Sequence, residues 1–119
     1  MTSEYVSIGH PDKIADYISE WVLDRYLEKD RDTRFALEVQ IKDNWVSLAG
    51  EVTSRAKFTE EQIAQFARDA VADIGYTHDY AEKWPDNSTL DASKLEVVQH
   101  ISQQSPDIAQ GVDNDGWGD

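Results

Sequence analysis

The sequence predicts an α+β domain, with two helices packed on one face of a small, mainly antiparallel sheet. Two stretches carry apolar residues at helical spacing, and between them two alternating segments are joined by a short polar link. Each helix then has one apolar stripe and the hairpin one apolar face, and layering them is the economical way to bury all three. A chain of 119 residues suffices for one such domain. Four Trp, five Tyr and three Phe supply bulky side chains for its core.

Ile14, Ile18, Trp21 and Val22 fall at i, i+4, i+7 and i+8, which predicts a first helix over 12–29. Gly9-His10-Pro11-Asp12 marks its start, because the amide that Pro11 lacks would be unpaired in the first turn anyway. Phe35, Leu37, Val39 and Ile41 then alternate with small or polar residues, as do Val46, Leu48, Gly50 and Val52. If Asp43-Asn44 is a two-residue turn, Ile41 faces Val46, Val39 faces Leu48, and every apolar residue of the hairpin lies on one side. Thr59-Glu60-Glu61-Gln62 has the form of a capping box, and Ile63, Phe66, Ala67, Ala70, Val71 and Ile74 continue a second helix up to Gly75. The stretch from Gly75 to Ser93 reads as a long loop. Lys94 to Ile101 reads as a third strand, with Leu95, Val97 and Ile101 on one face and Glu96, Val98 and His100 on the other. From Ser102 onward, four Asp, three Gly and no Lys or Arg read as a polar loop.

Composition narrows the chemistry. The absence of cysteine excludes disulfides, thiolate zinc sites and cysteine nucleophiles, and fits a reducing, cytoplasmic compartment. No apolar run approaches the roughly 18 residues of a membrane span, which argues against membrane insertion. With 24 acidic residues against 11 Lys plus Arg, the net charge of −13 opposes attraction to nucleic acid. Neither a phosphate-binding glycine loop nor a G-x-S-x-G serine motif is present.

Two groups of residues could carry a site. The preferred hairpin register sets Glu38 opposite Ala49 and makes Glu51 its diagonal neighbour on the face away from the core, at roughly 7–8 Å between Cα atoms. Two carboxylates so placed can hold a cation or an ammonium group, or can be solvated charges on a wet face. His10 and Asp12 flank a helix N-terminus, which favours phosphate and a magnesium ion shared with it, although Asp12 can equally be a helix cap. His78 and His100 have no metal-ligand spacing and read as structural.

Taken in order, Thr2-Ser3-Glu4, Gly9-His10-Pro11-Asp12-Lys13-Ile14-Ala15-Asp16, Gly50-Glu51, Ile74-Gly75-Tyr76-Thr77-His78, Gln104-Ser105-Pro106-Asp107-Ile108 and Gln110-Gly111-Val112-Asp113 resemble the methionine adenosyltransferases, or S-adenosylmethionine synthetases, over nearly the whole chain. The resemblance is to their N-terminal part, one of three similar domains. It implies an enzyme that joins ATP to L-methionine, forms S-adenosylmethionine, and releases phosphate and diphosphate, with magnesium and potassium as ions. By motif position it places His10 beside the ATP phosphates as the catalytic histidine, Asp12 on magnesium and Glu38 on potassium. Glu51 and Gln104 match residues that hold methionine, Asp119 falls at a further substrate-contacting position, and about 104–114 matches a gating loop. It also implies active sites between two subunits of a homodimer or higher oligomer, with the Glu38–Glu51 face against a partner.

The chain departs from the family in three places. Gln103 stands where the family has lysine, which removes one positive charge near the gate. The 76–94 loop is longer, and the link from Val112 to Gly118 is shorter. The family also continues past Gly118-Asp119 into central and C-terminal domains that supply further cationic residues and another metal-binding aspartate. The chain is therefore expected to be a fragment, or one piece of a split enzyme completed by a complementary chain, and inactive alone. Two other classes compete with this reading: a non-catalytic module that pairs with a full-length synthetase and regulates it, and an acidic mimic of nucleic acid.

Overall fold

The structure is a computed structural model that describes residues 11–77, 82–83 and 90–106, with Pro11 and Asp12 described by their main chain only. Its elements follow as α1 (Pro11–Lys29), β1 (Arg34–Lys42), β2 (Trp45–Thr53), α2 (Glu60–Ile74), a single 3-10 turn (Ala92–Lys94) and β3 (Glu96–Gln104). The α+β class and the two helices agree with the sequence reading.

α1 begins on Pro11, and its inward stripe of Ile14, Ile18, Val22 and Tyr26 is buried. α2 opens with the expected capping box: the Thr59 hydroxyl accepts the Gln62 N–H at 3.1 Å, and Gln62 Oε1 accepts the Thr59 N–H at 2.9 Å. Two orphan amide donors are thereby satisfied, and the helix ends at Gly75. Ile63, Ala67, Ala70, Val71 and Ile74 face the core.

In the sheet, β2 lies between β1 and β3. The β1–β2 hairpin has the register that the apolar pattern requires, with Ile41 opposite Val46, Val39 opposite Leu48 and Glu38 opposite Ala49. Asp43 takes a positive φ of 53° in the two-residue turn, a conformation that Asp tolerates better than most residues. β3 runs parallel to β2, so the sheet is mixed. Parallel neighbours need a crossover, and here α2 together with the segment after it supplies one.

β3 starts two residues later than the sequence pattern suggests and continues through Ser102, Gln103 and Gln104, residues read from sequence as loop. Lys94 belongs instead to the 3-10 turn. The extension follows from β2: Glu51, Val52 and Thr53 pair with Ser102, Gln103 and Gln104, and the Ser54 N–H then donates to the Gln104 carbonyl at 3.0 Å.

One core joins the layers. Val46, Leu48 and Val52 from the inner side of β2 meet the helix stripes, together with Ala56, Phe58, Tyr76, Leu90 and Leu95. Phe58 packs edge-on against Tyr26 at 4.8 Å and Phe66 at 4.9 Å between ring centroids.

Candidate substrate-binding face

Strand alternation decides which side chains leave the core. With Val46, Leu48 and Val52 buried, the odd residues of β2 and the even residues of β1 and β3 share the face turned away from the helices. Glu38, Glu51 and Gln104 are exposed on this face, one from each strand. Glu51 is paired with Ser102 and Gln104 with Thr53, so Glu51 and Gln104 are diagonal neighbours across β2 and β3. Glu38 and Glu51 are diagonal neighbours across β1 and β2. Three residues separated by up to 66 positions in sequence are thus gathered on one surface.

Gly50 sets the main chain next to Glu51. Its φ is +145°, and a Cβ built there would lie 2.0 Å from the Ala36 carbonyl oxygen. Only glycine fits where β1 approaches this closely, which gives the Gly50-Glu51 pair a physical reason.

His100 lies on the same face, opposite Ala49 and exposed, and so takes no part in the core that a structural histidine would serve. Asp12 is the second residue of α1. His10, His78, Asp119 and the 107–114 part of the gating segment lie outside the described residues. Among the described residues, no three His, Cys, Asp or Glu side chains come together as a metal cluster. Glu38 presents an exposed carboxylate on the outer face. On the helical side, a cleft of about 350 Å³ between α2 and the 3-10 turn is lined by Gln65, Arg68, Asp69, Thr77 and Ser93. None of the expected site residues whose side chains are described borders it.

Position 103 lies on the other side of the sheet from Gln104. Gln103 Oε1 accepts the Tyr26 hydroxyl at 2.6 Å and the Phe58 N–H at 3.1 Å, while Nε2 donates to the Phe58 carbonyl at 2.7 Å. Gln103 thus holds the strand end through its side-chain amide. A cation is present there as well, with Lys57 Nζ 3.5 Å from the Gln103 carbonyl oxygen. Burial pushes the Tyr26 hydroxyl up to about 12, so it remains a donor to Gln103 throughout the neutral range.

A second buried polar group supports the same region. Asp30 is 7% exposed, and its carboxylate accepts the Arg55 N–H at 2.8 Å and the Asp32 N–H at 3.0 Å. Ser54 Oγ lies 3.4 Å from the same carboxylate and accepts the Ala56 N–H at 3.1 Å. Composition gave no sign of either Gln103 or Asp30, since both look like ordinary surface polar residues.

The sequence matches the family described as S-adenosylmethionine synthetase, N-terminal domain, over residues 1–106. The chain belongs to that family. It is 44% identical over 112 residues to the S-adenosylmethionine synthase of Akkermansia muciniphila and 43% identical over 115 residues to S-adenosylmethionine synthase 2 of Rhodospirillum rubrum. The synthase of Salinibacter ruber is likewise 44% identical over 112 residues. These alignments cover 94%, 97% and 94% of this chain but only 26%, 27% and 26% of the relatives. The S-adenosylmethionine synthetase N-terminal domain thus spans about a quarter of the length of the curated proteins it matches. No helix among its described residues is long and apolar enough to cross a membrane.

Proposed function

We propose that this domain supplies part of an active site that joins L-methionine to ATP, giving S-adenosylmethionine with release of phosphate and diphosphate. The observation that carries the reading is the convergence of Glu38, Glu51 and Gln104 on one exposed sheet face. Methionine brings an ammonium group, a carboxylate and a thioether. Glu51 can pair with the ammonium, and Gln104 offers both a donor and an acceptor to the polar end. The thioether sulfur is already a good nucleophile and needs no base, so the protein's task is to hold it in line with the ribose carbon and stabilise the departing triphosphate.

In this reading His10 contacts the phosphates and Asp12 and Glu38 are ligands for magnesium and potassium. Bound cations would neutralise charge on the leaving group. Asp119 is a further substrate contact, and the segment that follows Gln104, to about residue 114, closes over the site. The exposed sheet face is covered by a second subunit, so that the site forms between protomers. The domain is poorly equipped to neutralise tripolyphosphate alone, having eleven Lys plus Arg and none after Lys94. Catalysis therefore draws on cationic residues from the remainder of a full-length synthetase. The enzyme acts in the cytoplasm.

The test is product formation from ATP and methionine by the purified chain, alone and mixed with the central and C-terminal domains of a relative. S-adenosylmethionine should form only in the mixture. Turnover by the chain alone, with host enzyme excluded, overturns the division of labour. No product from the mixture, together with altered activity of an added full-length synthetase, would favour a regulatory module instead.

A further inference from the structure

The end of β3 presents two adjacent glutamines to opposite sides of the sheet, and they have different surroundings. Gln104 is exposed on the outer face, while the amide of Gln103 is engaged on the inner side by Phe58 and Tyr26. Both main-chain groups of Phe58 are taken by the one side chain, in the manner of a strand partner. The segment 54–58 is held in turn by the Asp30 carboxylate through the Arg55 N–H, and by Ser54, whose N–H grips the Gln104 carbonyl at 3.0 Å. Three connected anchors thus converge on the last two residues of β3.

We infer that Gln103 is a positioning residue for methionine recognition: its amide clamp on Phe58 fixes the end of β3 so that Gln104 is held beside Glu51 before substrate arrives. The inference rests on the reading of Gln104 and Glu51 as methionine ligands. Preorganisation of this kind lowers the cost of ordering a ligand side chain on binding. Tyr26 adds a second bond to the amide oxygen, the third of the amide as a whole, and its ring packs edge-on against Phe58. The clamp acts on the methionine end of the site through Gln104 and leaves the phosphate end, at the start of α1, untouched.

Two measurements test this. In the chain itself, hydrogen exchange of the Ser54 and Phe58 amides reports whether the strand end is paired. Gln103→Met, which keeps the length and removes the amide, should speed exchange at both positions by about tenfold or more relative to Leu48 in the centre of β2. Tyr26→Phe leaves the amide pair with Phe58 intact and should have a smaller effect. In the enzyme assembled with a relative's remaining domains, Gln103→Met should raise KM for methionine about tenfold while KM for ATP stays unchanged. Gln103→Leu, which also removes both polar atoms, serves if the Met variant does not fold. Unchanged exchange at Ser54 and Phe58 overturns the inference, as does an equal rise in both KM values. Glu51→Gln and Gln104→Ala run alongside separate the two layers of argument. If these raise KM for methionine and Gln103→Met does not, the clamp fails alone; if neither raises it, the assignment of the methionine site fails and the clamp with it.

Discussion

The carboxylate of Asp30 accepts the main-chain N–H of Arg55 at 2.8 Å, and this joins the end of α1 to the exit of β2. The Arg55 N–H, then that of Asp32, hold the Asp30 carboxyl below the usual carboxylate range against the effect of its burial. A depressed native pKa means that the unfolded chain binds the proton more readily. The stabilisation is complete above about pH 4, the ordinary Asp value, and is lost as pH falls through the lower native value. Asp30→Asn should lower Tm at neutral pH and flatten the acid side of the Tm–pH curve, as followed by circular dichroism. An unchanged acid limb would assign the acid transition to other carboxylates.

Gly50→Ala places a methyl group where the Ala36 carbonyl oxygen already stands, at a φ that L residues rarely adopt. Backbone strain of this type costs roughly 1–3 kcal/mol before the clash is counted. The urea midpoint should fall by at least that equivalent with an unchanged slope. A midpoint equal to that of the parent would show that β1 withdraws from β2 at no cost.

The elements that the sequence disclosed are those whose periodicity is strong. Ile14 to Tyr26, Phe35 to Val52 and Ile63 to Ile74 bury residues at regular intervals, and the hairpin register follows once Asp43-Asn44 is taken as the turn. The last residues of β3 were illegible because the strand there is polar on both faces: Ser102 and Gln104 are exposed, and Gln103 turns inward with its amide satisfied by Phe58 main chain. Periodicity measures hydrophobic burial and cannot register a buried hydrogen bond. Strand direction escaped for a related reason, since an alternating pattern is the same whether a neighbour runs parallel or antiparallel. The Glu38–Glu51 diagonal was readable from register. The addition of Gln104 to that face depended on the parallel β2–β3 alignment.

The two ends of the proposed site should separate kinetically. In the assembled enzyme, His10→Asn should reduce the rate of adenosyl transfer more than it weakens methionine binding, because His10 is assigned to the phosphates. Asp12 is the second residue of α1, where the positive end of the helix dipole already favours phosphate. Asp12→Asn should accordingly raise the magnesium concentration needed for half-maximal rate. A change confined to methionine affinity in either variant would contradict the assignment.

Glu51 gives the sharpest test of the methionine end. It is exposed and bears an ordinary strand side chain on the face away from the core, so the isosteric amide should be accommodated with little change in Tm. Loss of one charge-assisted hydrogen bond to the methionine ammonium is worth roughly 1.5–3 kcal/mol, or about tenfold to hundredfold in affinity. Glu51→Gln in the assembled enzyme should therefore weaken methionine binding by about that factor and leave ATP affinity nearly unchanged, as read by titration calorimetry with each substrate. Equal losses for both substrates would place Glu51 in the subunit contact instead of on the ligand, because a displaced interface disturbs every part of a shared site. A large fall in Tm would make it a structural carboxylate, and the neighbouring assignment of Gln104 would lose its partner.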